Sequence, residues 1–157
     1  MNKLEQDRLE KLEKLKNKGV DPYGCRFDNT QGIRSIVDEY IPENEGSSVR
    51  AAGRIMTMRP HGKAAFLDIR DWTGKIQLYI KLDNVGEETF EIFKLFDLGD
   101  IIGVDGKLFK TRTGEVTIYV DNCKMLSKSV TPPPEKWHGL KDVELRYRQR
   151  YIDLFTN

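Results

Sequence analysis

The sequence contains few cysteines and no long hydrophobic run. Its two cysteines, Cys25 and Cys123, lie far apart in the chain and form no Cys-x-x-Cys pair. This pattern excludes a disulfide-rich scaffold and provides no ligand spacing for a zinc site. No apolar stretch approaches the roughly 20 residues that a membrane-spanning helix needs, and the charged N-terminus is unlike a secretory signal peptide. We therefore expect a cytoplasmic protein with reduced thiols and no membrane contact.

The sequence also lacks an excess of charge of either sign. Its 26 Lys and Arg residues are balanced by 25 Asp and Glu residues, so the 157-residue chain has a formal net charge of +1. Overall charge therefore gives no argument for nucleic-acid binding. A local excess is present between residues 54 and 81, where the two acids Asp68 and Asp71 are accompanied by six basic residues: Arg54, Arg59, Lys63, Arg70, Lys75 and Lys81. Such a basic strip fits an RNA-binding surface, although most charged strips are simply solvated faces.

The pattern over residues 49–126 predicts five short β-strands, with one helical segment before the fourth. Side chains alternate between faces along a strand. In the hairpin at residues 64–80 this alternation directs one apolar set to the core: Ala65, Leu67, Ile69, Ile76, Leu78 and Ile80. The opposite face carries Phe66, Asp68, Lys75, Gln77 and Tyr79, and the last strand adds Glu115, Thr117 and Tyr119. Aromatic rings beside an amide on a basic sheet predict a platform on which nucleobases stack.

The predicted order is strand, strand, strand, helix, strand, strand, which is the order of the OB-fold. The helix is expected over residues 87–97, where Phe90, Phe93 and Phe96 recur on one face and plug the core. An OB-fold is a five-stranded Greek-key barrel that binds oligonucleotides or oligosaccharides on strands two and three and the flanking loops. We therefore expect a mainly β protein, a barrel with one capping helix, preceded by a helical arm.

Two further segments flank the predicted barrel domain at residues 48–128. Residues 1–47 predict a helical arm that ends at Gly19, followed by a connector with a short helix. We expect the leucines of the arm to dock on a neighbouring domain or subunit, in preference to an RNA contact through its lysines. Residues 129–157 predict a proline-stiffened linker and then apolar residues without a partner in the chain, which is typical of the start of a second domain.

Several runs of residues resemble the class II lysyl-tRNA synthetases. The strongest lies at residues 135–154 and contains Trp-His-Gly-Leu followed by Arg-Tyr-Arg-Gln-Arg-Tyr, which is similar to the start of the catalytic domain in those enzymes. Shorter runs at residues 62–66, 98–103 and 110–115 resemble the same family. Aspartyl and asparaginyl relatives share the barrel, whereas the first run is similar to the lysine enzymes in particular. One departure is the triple proline at residues 132–134, where relatives often have an apolar residue between prolines.

The resemblance implies that the barrel binds the uridine-rich anticodon loop of tRNA(Lys). In the family, an aromatic residue at the position of Phe66 stacks on an anticodon base. Residues matching Arg59 and Gln77 contact the central uridine, and a glutamate matching Glu115 contacts the third anticodon base. The chemistry is compatible, because an arginine donates to a uracil carbonyl oxygen, a glutamine amide donates and accepts, and a carboxylate accepts from the uracil N3–H.

Each of these residues also has an ordinary structural interpretation. Phe66 could pack under the N-terminal arm, Gln77 could be a solvated strand residue, and Arg59 could be a charge in a turn. Glu115 could pair with a basic residue of its own hairpin, either Lys110 or Arg112. His61 has no partner in view, and we expect it to be a solvated turn residue.

The resemblance further implies a full-length enzyme that attaches lysine to tRNA with ATP and Mg, in a catalytic domain on three motifs beyond this chain. It also implies a homodimer. We therefore expect no catalytic residue, cofactor or metal in these 157 residues, and no aminoacylation by this chain alone. Two other classes stay open: an OB module that binds single strands of any sequence, and a protein-interaction or dimerisation domain that uses the arm and the exposed face.

Overall fold

The computed structural model describes residues 2–23 and 26–129. Its elements follow in the order α1 (Lys3–Asn17), α2 (Ile33–Asp38), a 3-10 turn (Pro42–Asn44), β1 (Ser48–His61), β2 (Ala64–Arg70), β3 (Lys75–Lys81), α3 (Leu82–Val85), α4 (Glu87–Phe93), β4 (Ile101–Lys110) and β5 (Val116–Ser127). Cys25, the predicted linker beyond residue 129 and the predicted start of a second domain lie outside the described residues. Within the described part of the chain, no helix has the length and apolar character needed to cross a membrane.

The five strands close into a barrel in the order β1-β2-β3-β5-β4. Strands β3 and β5 pair in parallel, whereas the four other neighbouring pairs are antiparallel. This arrangement confirms the predicted mainly β fold with a helical segment between the third and fourth strands. It also confirms the OB-fold prediction, because a five-stranded Greek-key barrel is the defining feature of that fold.

The barrel core is built by the alternation expected from the hairpin sequence. Leu67, Leu78 and Ile80 are fully buried, as is Ile118 on β5. Close approach of strands also requires a glycine, since a Cβ atom at Gly53 would lie 2.8 Å from the carbonyl oxygen of Arg70. The predicted inward and outward faces of the β2–β3 hairpin are therefore confirmed.

The predicted helix over residues 87–97 is only partly correct. Helix α4 ends at Phe93, and the separate short helix α3 precedes it, with Gly86 at a φ of +90° between them. Beyond the helix the chain continues in tighter turns, in which the Leu95 N–H donates to the Ile92 carbonyl at 3.0 Å and the Phe96 N–H to the Phe93 carbonyl at 2.9 Å. The three phenylalanines of this segment are nevertheless buried in the core, as predicted: Phe90, Phe93 and Phe96.

Helix α1 packs against the barrel of its own chain. Leu15 is fully buried within the barrel core cluster and Leu12 is buried, whereas Leu4, near the start of the helix, is 62% exposed. The Lys11 ammonium binds the Asp97 carboxylate at 2.7 Å across this contact. Gly19, at a φ of +80°, follows the end of the helix, as predicted. The expected docking of the arm is therefore confirmed, with the barrel as the surface on which it docks.

A buried ionic group lies where the chain leaves β5. We call Lys11, Asp97, Asp100 and Lys128 the exit cluster. The Lys128 ammonium donates to both aspartates, at 2.7 Å to Asp97 and 2.8 Å to Asp100, and to the Leu95 carbonyl at 3.2 Å. Burial raises the pKa of Asp100 despite the nearby lysine, whereas the hydrogen bonds from Lys11 and Lys128 overcome the effect of burial and lower the pKa of Asp97.

Cys123 is a buried free thiol in β5. Burial raises its pKa to about 12, so the thiol stays protonated at neutral pH. A protonated, inaccessible thiol is a poor nucleophile and a poor metal ligand. Cys123 is therefore a small core residue.

Candidate nucleic-acid interface

Two rows of side chains cross the outer face of the barrel. The strand register places Phe66 of β2 opposite Tyr79 of β3, and Tyr79 opposite Tyr119 of β5; we call these three residues the aromatic row. The register also aligns a second set of residues. Each lies two positions along its strand from Arg59 or from a member of the aromatic row, and therefore on the same face. We call this set the polar row, and it consists of Thr57, Asp68, Gln77 and Thr117. Arg59 on β1 lies opposite Phe66 and links the two rows.

The rings of the aromatic row support one another. Phe66 and Tyr79 are stacked with centroids 4.6 Å apart and planes 17° apart, and Tyr79 and Tyr119 are 5.7 Å and 27° apart. Phe109 of β4 meets Tyr119 edge to face at 6.4 Å. All four side chains are half-buried, so their remaining edges and faces are open to solvent. One side of the Phe66 ring is covered by Tyr79, which holds it in position to receive a stacked base.

The polar row is a continuous hydrogen-bonded network. Arg59 donates through Nη2 to Gln77 Oε1 at 3.3 Å and through Nη1 to Asp68 at 3.5 Å. The Thr57 hydroxyl donates to the same Asp68 carboxylate at 2.8 Å. On the other side, Gln77 Nε2 donates to the Thr117 hydroxyl oxygen at 3.3 Å. Arg59 and Gln77, for which the family resemblance implies contact with the same base, are therefore in direct contact.

Arg59 keeps hydrogen-bonding capacity for a ligand. Its side chain is 52% exposed, and its three contacts with Thr57, Asp68 and Gln77 use three of the five N–H donors of a guanidinium group. Within the described residues, two donors therefore remain to reach a carbonyl oxygen or a phosphate. The partly buried Asp68 carboxylate fixes the guanidinium group beside the Phe66 ring.

Glu115 is attached to this network through its backbone. Its carbonyl oxygen accepts a hydrogen bond from the Thr117 hydroxyl at 3.0 Å, and its N–H donates to the Thr111 hydroxyl at 3.0 Å. Its side chain is exposed, and within the described residues no hydrogen bond or ion pair reaches the carboxylate. The alternative pairing with Lys110 or Arg112 is therefore not found, and the carboxylate is available to a ligand.

The structure corrects two details of the sequence prediction. The sequence predicts a turn over residues 59–62, but Arg59 lies inside β1, which runs to His61, and the turn is formed at Gly62, which has a φ of +65°. Asp68 and Thr117 do lie on the outer face, but they are buried because their neighbours on adjacent strands cover them. His61 is exposed at the end of β1, and Phe66 packs on Tyr79 and not under the arm.

Thr57 and Phe109 are members of this surface that sequence reasoning missed. A register shift between Ile55 and Thr57 brings Thr57 opposite Asp68, and nothing in the local pattern of β1 marks that bulge. Phe109 falls opposite Thr117 in the β4–β5 pairing. The alternation of β4 was a usable signal for Phe109, since it is in phase with the polar Asp105 and Lys107 and out of phase with the buried Val104 and Leu108.

The electrostatics of the strip favour an anionic ligand. Both of its acids are turned toward protein groups: Asp68 binds Thr57 and Arg59, and Asp71 closes the β2–β3 turn. Burial alone would raise the pKa of Asp71, but hydrogen bonds from Thr73, from the Ile33 N–H and from the Gly74 N–H lower it. Most of the strip's basic residues, in contrast, are exposed: Arg59, Lys63, Arg70 and Lys75. Surface charge on this face is therefore predominantly positive.

The barrel matches a known family of nucleic-acid-binding domains. Residues 49–126 match the family described as an OB-fold nucleic acid binding domain, of the tRNA anti-codon type. This range begins in β1 and ends in β5, so it contains every strand residue of the aromatic and polar rows. The fold and the matched family together define the barrel as a nucleic-acid-binding OB-fold domain.

The whole chain is similar to the lysine–tRNA ligases. It is 54% identical over 157 residues to the enzyme of Pelotomaculum thermopropionicum and 55% identical over 159 residues to that of Thermoanaerobacter sp. (strain X514), with 100% of this chain covered in both cases. The chain spans 31% and 32% of the length of these relatives and corresponds to their N-terminal region. The barrel therefore belongs to the tRNA anti-codon family of OB-fold domains, and the whole chain is homologous to the N-terminal region of lysine–tRNA ligases.

Proposed function

We propose that this chain binds the anticodon loop of tRNA(Lys) as the anticodon-binding region of a lysyl-tRNA synthetase. The observation that carries the proposal is the contact between Arg59 and Gln77 beside the Phe66 ring. These three side chains share one outward face of the domain that matches the family. A stacking ring, a cationic donor and an amide are the groups with which proteins recognise unstacked bases of single-stranded loops.

Each proposed residue has a distinct role in this complex. Phe66 stacks on an anticodon base, a contact worth about 1–3 kcal/mol. Arg59 uses its free donors on a carbonyl oxygen of the central uridine, and Gln77 both donates to and accepts from the same base. Glu115 accepts from the third anticodon base through its unpaired carboxylate. The exposed cations of the basic strip attract the phosphate backbone without selecting a sequence.

The full-length protein would attach lysine to tRNA(Lys) in the cytoplasm, with ATP and Mg, in a catalytic domain that is the partner of this barrel. In residues 2–23 and 26–129, no group of three or more His, Cys, Asp and Glu side chains is placed to hold a metal ion. We expect no lysine-dependent pyrophosphate exchange from the purified 157-residue chain. Detectable exchange would contradict this assignment of the chemistry to another domain.

Base selection can be tested with two RNA hairpins. We would measure binding to the tRNA(Lys) anticodon stem-loop and to one in which the central uridine is changed to cytosine, at one fixed salt concentration because phosphate contacts depend on salt. The proposal predicts a clear preference for uridine in the wild type and its loss in Gln77→Ala and Arg59→Ala. Equal binding of both hairpins by the wild-type chain would contradict base recognition on this face.

A single-strand-binding module without sequence preference is the second candidate. The aromatic row favours it, because every base has a face that can stack on a ring. It predicts equal affinity for both hairpins, with a steep salt dependence. Dimerisation through the arm is also expected for the full-length protein; here the inner leucines of α1 already pack on the barrel, so a second subunit would need other surfaces, such as the exposed Leu4.

A further inference from the structure

The amide group of Gln77 can in principle face its neighbours in two orientations that exchange the oxygen and the nitrogen. The choice matters for base recognition, because the two orientations present donor and acceptor in opposite order. Uracil presents an N3–H donor beside its carbonyl acceptor, whereas cytosine presents an N3 acceptor beside its amino donor. A glutamine that is free to rotate its amide can pair with either base, and one that is fixed can pair with only one.

Arg59 fixes the oxygen end of the amide. A guanidinium group has only donors and no acceptor, so the amide atom at 3.3 Å from Arg59 Nη2 must be the oxygen. Arg59 is itself held by the buried Asp68 carboxylate and the Thr57 hydroxyl. A reversed amide would place its N–H groups against the donors of the arginine.

Thr117 fixes the nitrogen end of the amide. A hydroxyl group has one hydrogen to donate, and Thr117 gives it to the Glu115 carbonyl oxygen at 3.0 Å. The Thr117 oxygen is therefore left as an acceptor toward Gln77 Nε2, at 3.3 Å. Thr117 has 0% exposure, so water cannot replace its hydroxyl group. The Glu115 carbonyl is held in turn by the Thr111 N–H at 2.9 Å.

We propose that Thr117 determines base specificity as a positioning residue: its hydroxyl group, oriented by the Glu115 carbonyl, fixes the Gln77 amide in the orientation that pairs with uracil and not with cytosine. In this orientation Gln77 Oε1 keeps a lone pair for the uracil N3–H, and Nε2 keeps one N–H for the adjacent carbonyl. Cytosine at the same place would put its N3 acceptor against the Gln77 Oε1 acceptor. This inference rests on the proposed function, because it assigns a further residue to the same site.

Removing the Thr117 hydroxyl group lowers the cost of reversing the amide. One lost hydrogen bond contributes about 1 kcal/mol, which corresponds to about fivefold in a ratio of dissociation constants. Arg59 still opposes reversal, so the preference for uridine should decrease without disappearing. The stacking of Phe66 and the contacts of the surface cations do not involve this hydroxyl group, so affinity for the uridine hairpin should change much less than the ratio.

The test compares Thr117→Val with Thr117→Ser. Valine keeps the volume and β-branching of threonine without the hydroxyl group, whereas serine keeps the hydroxyl group. Thr30→Val, which removes an exposed threonine hydroxyl group outside the aromatic and polar rows, is the matched control. We expect the uridine-to-cytosine preference to decrease about fivefold in the valine variant and to be kept in the serine and control variants. If Thr117→Val does not fold, as judged by thermal unfolding, Thr117→Ala against Thr117→Ser isolates the same hydroxyl group.

The outcomes separate this inference from the proposed function. A wild-type chain that binds both hairpins equally contradicts base recognition itself. A wild-type preference that survives unchanged in Thr117→Val overturns the role of Thr117 and leaves the proposed function intact. Equal weakening of both hairpins in Thr117→Val also overturns it, because a purely structural role of Thr117 lowers both affinities and leaves their ratio unchanged.

Discussion

The polar row and the exit cluster are both networks of hydrogen-bonded polar side chains, but they differ in how much hydrogen-bonding capacity they leave for a ligand. In the exit cluster the Lys128 side chain has 0% exposure, and its three ammonium donors are used by Leu95, Asp97 and Asp100. In the polar row the Arg59 side chain is 52% exposed and has donors to spare. Lys128, at the centre of the first network, leaves no donor for a ligand, whereas the second network presents unused donors and acceptors on a ring-lined face.

The two networks therefore have different roles in one small domain: the exit cluster stabilises the fold, and the polar row is available for binding. A buried polar network that is fully satisfied specifies one arrangement of the chain, and the exit cluster joins α1, the loop after α4 and the chain beyond β5. A partly satisfied network on the surface keeps its geometry and completes its hydrogen bonds with a ligand. The comparison predicts that substitutions in the exit cluster affect stability and substitutions near the polar row affect RNA binding.

The largest effect is expected for Lys128→Met. Removing one partner of a buried ion pair leaves the other charge without compensation and costs about 3–5 kcal/mol; here the charge is that of Asp100, since Asp97 keeps its pair with Lys11. Urea denaturation would measure the loss in free energy of unfolding. Lys107→Met is the matched control, because its pair with Asp121 is half-exposed and such surface pairs contribute about 0–1 kcal/mol. Equal losses in the two variants would show that the exit cluster does not hold the fold.

A smaller effect, on affinity, is expected for Phe66→Ala. Loss of a base stack worth about 1–3 kcal/mol should weaken binding of the anticodon hairpin roughly 5- to 150-fold. Fluorescence anisotropy with a labelled hairpin would measure the dissociation constant. Tyr23→Ala, which removes an exposed aromatic ring outside the aromatic row, serves as the control. An unchanged dissociation constant for Phe66→Ala would mean that the bases do not stack on this ring.

The smallest effect is expected for Asp71→Ala. The Asp71 carboxylate accepts hydrogen bonds from the Ile33 N–H at the start of α2 and from the β2–β3 turn, and loss of such a cap costs about 1 kcal/mol. The folded protein lowers the pKa of Asp71 from 3.8, so its ionised form stabilises the fold above pH 3.8 and the benefit is lost as the pH falls through the lowered value.

Urea denaturation at several pH values would check both the size and the sign of this effect. The difference in free energy of unfolding between the wild type and Asp71→Ala should be constant above pH 3.8 and shrink below it. Asp38→Ala, which removes an exposed carboxylate from α2, is the control and should show little difference. A difference that grows on acidification would contradict the capping role.

Local patterns predicted the barrel and most of its binding face. Strict alternation in β2 and β3 identified both faces of the hairpin, and Gly19 marked the end of α1. Features that depend on contacts between distant residues were missed. Lys128 meets Asp97 and Asp100 only because the barrel brings them together, and the bulge that places Thr57 opposite Asp68 has no marker in β1. Thr117 was correctly directed outward, but its burial depends on neighbours from other strands.

The most direct test of the claim that RNA binds at the polar row and not at the exit cluster is a titration of isotope-labelled protein with the anticodon hairpin, followed by nuclear magnetic resonance. The account predicts the largest chemical-shift changes at Arg59, Phe66 and the side-chain amide of Gln77, with no significant change around Lys128. Changes centred on α1 and the exit cluster, with the polar row unaffected, would contradict it and place the RNA on the opposite part of the domain.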